Sequence, residues 1–196
     1  MSRPITTVVF DCFGVLYQDA FKQFLDDHAA TMPQPRRHYY DLAKQNELGY
    51  LSDSEFYKVF SDDTGIPAEQ IKNYFNDTDC LNTNVVTLLE QIRETGKFKT
   101  AMLTNVERGF LQRFLDSHGI GHLFDVVLAS SETAHVKPER EIFEALADRI
   151  ETPFEEWYFI DDSSDNVEAA ASYGIRGHVF TTTDELRKAL SDSGII

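Results

Sequence analysis

Cysteine is nearly missing from this chain: there are two in 196 residues, Cys12 and Cys80, far apart. They form neither a zinc-ligand spacing nor a redox CxxC, which excludes a disulfide scaffold and fits a reduced, cytoplasmic protein. Positive charge is scarce too, with 18 Lys and Arg against 33 Asp and Glu and a formal net charge of −15. Such a surface repels phosphate backbones and anionic lipid, so neither nucleic acid nor a membrane surface is an expected partner. No apolar run approaches the length of a membrane span. Met1-Ser2-Arg3-Pro4 leads at once into a first strand, and no signal peptide is expected there. Repeats and low-complexity segments are absent. The shortage of positive charge has a local consequence: an anionic ligand needs a lysine or a metal cation to reverse the sign where it binds.

What the chain does have is 42% hydrophobic residues, enough for one full domain with a modest insertion. Thr6-Thr7-Val8-Val9-Phe10-Asp11-Cys12-Phe13-Gly14-Val15-Leu16 is a short β-branched, apolar run that ends abruptly in an aspartate, with a turn glycine behind it. This pattern predicts a buried strand delivering a carboxylate to the edge of a sheet. Residues 17–80 then read as a small all-helical unit. Phe21, Phe24, Leu25 and His28 are spaced for one helix, a second runs over 36–45, and Ser52-Asp53-Ser54-Glu55 is a capping box for a third. Pro67 suits the first turn of a fourth. The aromatics Tyr39, Tyr40, Tyr50, Phe56, Tyr57 and Phe60 read mostly as core by their spacing.

From residue 82 the chain alternates helix and strand. Strands are predicted at Phe98–Leu103, Phe124–Leu128, Trp157–Ile160 and Gly177–Phe180, and helices at Val85–Arg93, Gly109–His118, after Pro138, at Val167–Tyr173 and at Asp184–Leu190. Alternation at these lengths implies parallel strands joined by right-handed crossovers. The expected architecture is α/β: a Rossmann-like parallel core from 1–16 and 81–196, with the helical unit 17–80 inserted after the first strand. Ligands of such sheets sit beyond the carboxyl ends of the strands. Gathered there are Asp11, Thr104 with Asn105, and Asp161 with Asp162, while Lys137 follows a strand after a short loop. A strand-end carboxylate can be a nucleophile, an acidic pair can hold Mg²⁺, and a lysine and a hydroxyl can take phosphoryl oxygens. Those parts suit phosphoryl transfer, which is mostly positioning and charge stabilisation.

Four segments carry a resemblance. Val8-Val9-Phe10-Asp11-Cys12-Phe13-Gly14-Val15-Leu16, Met102-Leu103-Thr104-Asn105, Val136-Lys137-Pro138-Glu139 with Ile142-Phe143, and Phe159-Ile160-Asp161-Asp162-Ser163-Ser164-Asp165-Asn166 running on to Ala170 resemble the four ordered motifs of the haloacid dehalogenase (HAD) superfamily. The likeness covers essentially the whole chain. It implies subfamily I with a helical C1 cap, most like the branch of sugar-1-phosphate phosphatases and the amino-terminal, phosphatase-like domain of soluble epoxide hydrolase. It further implies a Mg²⁺-dependent phosphatase acting on a small phosphorylated metabolite through an aspartyl-phosphate. By the same resemblance Asp11 matches the nucleophile, and Thr104 the phosphate-binding hydroxyl with Asn105 beside it. Lys137 matches the motif lysine, and Asp162 a metal ligand alongside Asp11 and the backbone carbonyl of Phe13. Asp161 and Asn166 would stand behind that shell and orient it. The cap is implied to close over the pocket, with the turn Glu47-Leu48-Gly49-Tyr50 reaching toward it.

One position departs from the family pattern. Phosphatases of the family carry a second aspartate two residues after the nucleophile, which protonates the leaving group and later activates water; here that residue is Phe13. Loss of general acid–base catalysis costs on the order of 10²–10⁴ in rate. Three readings follow. The first is a phosphatase for substrates with good leaving groups, such as sugar-1-phosphates. The second is a 2-haloacid dehalogenase, whose relatives carry an aromatic residue at this position but lack the acidic pair. The third is a binding or regulatory protein that has lost turnover. Cys12 and His135 read as structural, and monomer and homodimer are both open.

Overall fold

Strands form where β-branched and aromatic residues run together, and a computed structural model describes residues 3–18, 20–47, 50–78, 81–106 and 110–196. Five parallel strands, β1 (Thr7–Phe10), β2 (Lys99–Thr104), β3 (Val126–Ala129), β4 (Trp157–Asp161) and β5 (Arg176–Val179), lie in the order β3-β2-β1-β4-β5. The helices among the described residues are α1 (Ala20–Asp27), α2 (Arg36–Glu47), α3 (Asp53–Thr64), α4 (Ala68–Thr78), α5 (Thr83–Glu94), α6 (Phe110–His118), α7 (Arg140–Ile150), α8 (Ser164–Ser172) and α9 (Thr183–Asp192). The chain divides into two compact units, Met1–Tyr17 with Leu81–Ile196, and Gln18–Cys80.

In the first unit every residue of β1 is buried, as a central parallel strand covered on both faces requires. Successive side chains leave it on opposite sides. Val8 and Phe10, with Met102 and Ile160, join a layer built with α5, α6 and α9. Val9, with Ala101, Leu103 and Phe159, joins a second layer against α7 and α8. Phe10 pairs with Met102 on one side and Ile160 on the other. Continuing that register by one residue brings Asp11 beside Asp161, and the Asp11 N–H donates to Ile160 O at 2.8 Å. Strand pairing therefore sets two acids side by side at the carboxyl rim before any side chain acts.

Most boundaries shift by one or two residues from the pattern reading, and two of the shifts have a visible cause. α8 starts at Ser164, three residues ahead of Val167, because the Ser163 hydroxyl caps it by accepting from the Asn166 N–H. β3 starts at Val126 because a 3-10 turn at Gly121–Leu123 uses the chain before it and Asp125 bonds outward to Thr100. The second unit packs α1 to α4 around Phe24, Leu25, Tyr39, Phe56, Phe60 and Ile71. Phe60 is fully buried and its ring meets those of Phe21, Phe24, Tyr39, Phe56 and Phe75. Truncating such an aromatic to alanine costs about 3–5 kcal/mol. The capping box at Ser52 and Glu55 is formed in both directions. Tyr40 and Tyr50 do not join the core: they are 44% and 81% exposed. Leu48, Gly49, Cys80 and Gly109 lie outside the described residues, so the turn at 47–50 is not described. No helix among the described residues is long and apolar enough to cross a membrane.

Candidate active site

Three of the motif residues meet in one buried ion cluster. Lys137 Nζ lies 2.7 Å from Asp11 Oδ1 and 2.6 Å from Asp161 Oδ2. All three side chains are almost fully buried, at 2%, 9% and 0% exposure. Asp11 Oδ1 also accepts from the Cys12 N–H at 2.7 Å, which fixes the carboxylate's rotation. Asp161 is held on every side. Its Oδ1 accepts from the Ser163 N–H at 2.9 Å, and Asn166 Nδ2 reaches both of its oxygens at 3.0 and 3.1 Å. Asn166 is thus bonded to Asp161.

Asp162 takes a different position. Its carboxylate packs on Gly14, where an added Cβ would stand 2.4 Å from Asp162 Oδ2. Gly14 has φ +78° and closes a tight loop in which its N–H donates to Tyr17 O and the Cys12 carbonyl accepts from Leu16 and Tyr17. Glycine is needed there twice over, for the left-handed backbone and for the close approach of the acid. Phe13, on the same loop, is half-buried with its ring edge-on to Tyr17 at 5.7 Å. Thr104 is buried at the end of β2, one step beyond the level of Asp11 in the strand register. Asn105 is exposed, and its side chain is bonded to the backbone of Lys137. The order of motifs gave no sign of that contact, since it needs the loop after β3 to fold back on the end of β2. Cys12 is buried and packs in the core; burial pushes its thiol well above the ordinary range, and Asp11 adds to the effect. His135 bonds Glu139 at 3.1 Å.

Acids crowd together at the rim. Burial, opposed by Lys137 and reinforced by Asp161, pushes the Asp11 carboxyl up from 3.8 to about 6. Asp11, Asp161 and Asp162 each offer an oxygen within 4.8 Å of the others, and the Lys137 ammonium sits between the first two. Crowded acids of this kind are costly without further positive charge. The donors are all hard oxygens, and a Mg²⁺ ion fits such a set. His135, Glu139 and Glu141 form a second, more exposed group.

A parallel sheet thus carries a lysine and an acidic trio at its carboxyl rim. Residues 5–174 match the family model of haloacid dehalogenase-like hydrolases, and the chain belongs to that family. Among curated relatives it is similar to the sesquiterpene phosphatase astK of Aspergillus oryzae, 26% identical over 180 residues, covering 90% of each chain. It is also 26% identical over 151 residues to the drimenol cyclase drtB of Aspergillus calidoustus, covering 74% of this chain but only 29% of drtB. Among solved structures, the HAD family enzyme BT-2542 of Bacteroides thetaiotaomicron, in complex with magnesium and inorganic phosphate, superposes with a TM-score of 0.59 at 23% identity, over 90% of this chain and 94% of that one.

Proposed function

We propose that this chain is a Mg²⁺-dependent phosphatase that hydrolyses the phosphomonoester of a small metabolite through a phosphorylated Asp11. The observation that carries the reading is the buried Lys137 ammonium seated between Asp11 and Asp161. A carboxylate that attacks a phosphate dianion meets like-charge repulsion, and a desolvated cation beside it offsets that repulsion. Asp11, Asp162 and the Phe13 carbonyl would hold Mg²⁺, which supplies further positive charge against the phosphoryl oxygens. Membership of a hydrolase family, and a relative named as a phosphatase that aligns over nine tenths of both chains, support the same reading.

In this mechanism Lys137 and the Cys12 N–H hold Asp11 Oδ1, and the other carboxylate oxygen bonds to phosphorus as the bond to the leaving oxygen breaks. The Thr104 hydroxyl donates to a phosphoryl oxygen, while the Asn105 amide stays bonded to the Lys137 main chain. Phe13 has no proton to give, so the leaving group departs as an anion or takes its proton from water. Water then attacks phosphorus, phosphate leaves, and the carboxylate is restored. Substrates whose leaving groups depart easily, sugar-1-phosphates or aryl phosphates, gain most. Residues 17–80 would serve as the cap.

Two measurements test this. Glucose-1-phosphate should turn over faster than glucose-6-phosphate with Mg²⁺ present; preference for the 6-phosphate defeats the leaving-group argument. A burst of released alcohol should precede steady turnover, because no base at position 13 speeds the second step; linear progress from the first turnover at saturating substrate counts against it. The dehalogenase reading draws on the aromatic Phe13, and halide release from 2-haloacids without Mg²⁺ would put it first. A chain that binds phosphometabolites and turns none over would be a binding protein.

A further inference from the structure

We infer that Asn105 is a positioning residue for Lys137: its side-chain amide grips the lysine's main chain and so sets where the ammonium stands between the two acids. The Lys137 N–H donates to Asn105 Oδ1 at 2.9 Å, and Asn105 Nδ2 donates to the Lys137 carbonyl at 3.0 Å. A primary amide carries a donor and an acceptor side by side. Here it takes both main-chain groups of one residue, as a neighbouring strand would. Asn105 follows directly on β2, which is paired on both sides, to β1 and to β3, so the grip is tied to the middle of the sheet.

The reason such a grip matters lies in the lysine itself. Its charge rides on a flexible four-carbon stem with rotatable donors. Asp11 and Asp161 hold the far end at 2.7 and 2.6 Å, and the Phe159 ring lies 5.7 Å from Nζ. Asn105 holds the near end. With both ends fixed the ammonium has one place to stand, and a charge that must meet a developing phosphoryl charge depends on that place. Asn105 is exposed, so its removal leaves the core layers untouched and separates loss of position from loss of fold.

The inference builds on the phosphatase reading, and the test therefore has one arm that needs no turnover. Asn105→Ala is made in the full chain. By NMR without substrate, the Lys137 amide should exchange about tenfold faster than in the parent, as loss of one hydrogen bond allows, and the Lys137 Hε–Cε signal should shift. With Mg²⁺ and p-nitrophenyl phosphate, kcat should fall about 10²-fold while KM changes little, as a catalytic group displaced by about 1 Å predicts. An unchanged Lys137 amide and side-chain signal would overturn the inference, and so would a raised KM with kcat kept, which is the mark of a plain substrate ligand. Should the parent chain hydrolyse nothing, the phosphatase reading fails, and the NMR arm still decides whether Asn105 holds the lysine.

Discussion

Two aspartates stand at opposite ends of the same sheet, and their surroundings differ in one respect that explains both. Asp125, ahead of β3, sits among donors. Its Oδ2 takes Arg93 Nη1 at 2.6 Å and the Thr100 N–H at 2.8 Å. Burial pushes its carboxyl up, but the Thr100 N–H and the Arg93 guanidinium outweigh that and hold it below 3.8. Asp11, past the end of β1, shares a single ammonium with Asp161 and has Asp162 close by, and its carboxyl is raised to about 6. The amino-end acid is satisfied and contributes to stability. The carboxyl-end acids crowd one another, and burial together with Asp161 raises the Asp11 carboxyl.

The sharpest way to break this contrast is to neutralise each acid in turn. Asp11→Asn should lower turnover of p-nitrophenyl phosphate by at least about 10³-fold, as expected for a lost nucleophile. Its thermal midpoint should hold or rise, because one claimant on Lys137 has gone. A variant that keeps its rate would remove Asp11 from the chemistry. Cation binding comes next in size. Mg²⁺ at a hundredfold excess over its Kd should stabilise the parent by about 2.7 kcal/mol, read as a rise of about 2–4 °C per kcal/mol in Tm. Asp162→Asn should lose most of that rise. An equal rise in both would place the ion elsewhere.

Gly14 sharpens the contrast from the backbone side. Gly14 and Gly96 have φ of +78° and +64°, but an added Cβ meets Asp162 at the first and nothing within 4 Å at the second. Gly14→Ala and Gly96→Ala should each lose about 1 kcal/mol through left-handed strain. Only Gly14→Ala should also lose the Mg²⁺-dependent rise in Tm, since its methyl displaces the Asp162 carboxylate. Loss of that rise in both variants would mean that general destabilisation, and not the acid's position, controls cation binding.

The same contrast marks what could be read from residues alone. A β-branched run that stops at an acid is visible as a pattern, because buried parallel strands need continuous apolar residues and their ends need polar ones. That is why the strand ends at Asp11, Thr104 and Asp161 were legible, together with the α/β alternation. The division of labour between Asp161 and Asp162 rested on the family resemblance alone. Strand register decides which of two adjacent acids turns inward, and here it sends Asp161 to Lys137 and Asp162 toward Gly14. The hold of Asn105 on Lys137 is a contact with main-chain atoms, which every residue carries alike, so no residue type at 137 could announce it. The apolar pattern extends the third strand over Asp125, whereas its hydrogen bonds to Thr100 set it outside β3.

Asp125 gives the smallest effect and the cleanest check on the sign of the argument. Its carboxyl titrates lower in the folded chain than its ordinary 3.8. Above that ordinary value the acid is ionised whether the chain is folded or not, and its contribution to stability is fully present. Below it the unfolded chain takes up the proton first, so the contribution drains away as pH falls toward and through the folded value. Asp125→Asn carries no such proton. The parent should therefore be more stable than the variant at pH 6, by about 1 kcal/mol for a partly exposed, screened pair, and the gap should narrow as pH falls below 3.8. Urea midpoints at pH 6, 4 and 3 measure it. A gap that stays constant over that range would mean that the shape of the side chain, and not its charge, is what Thr100 and Arg93 hold, and the distinction between a satisfied acid and a crowded one would lose its amino-end half.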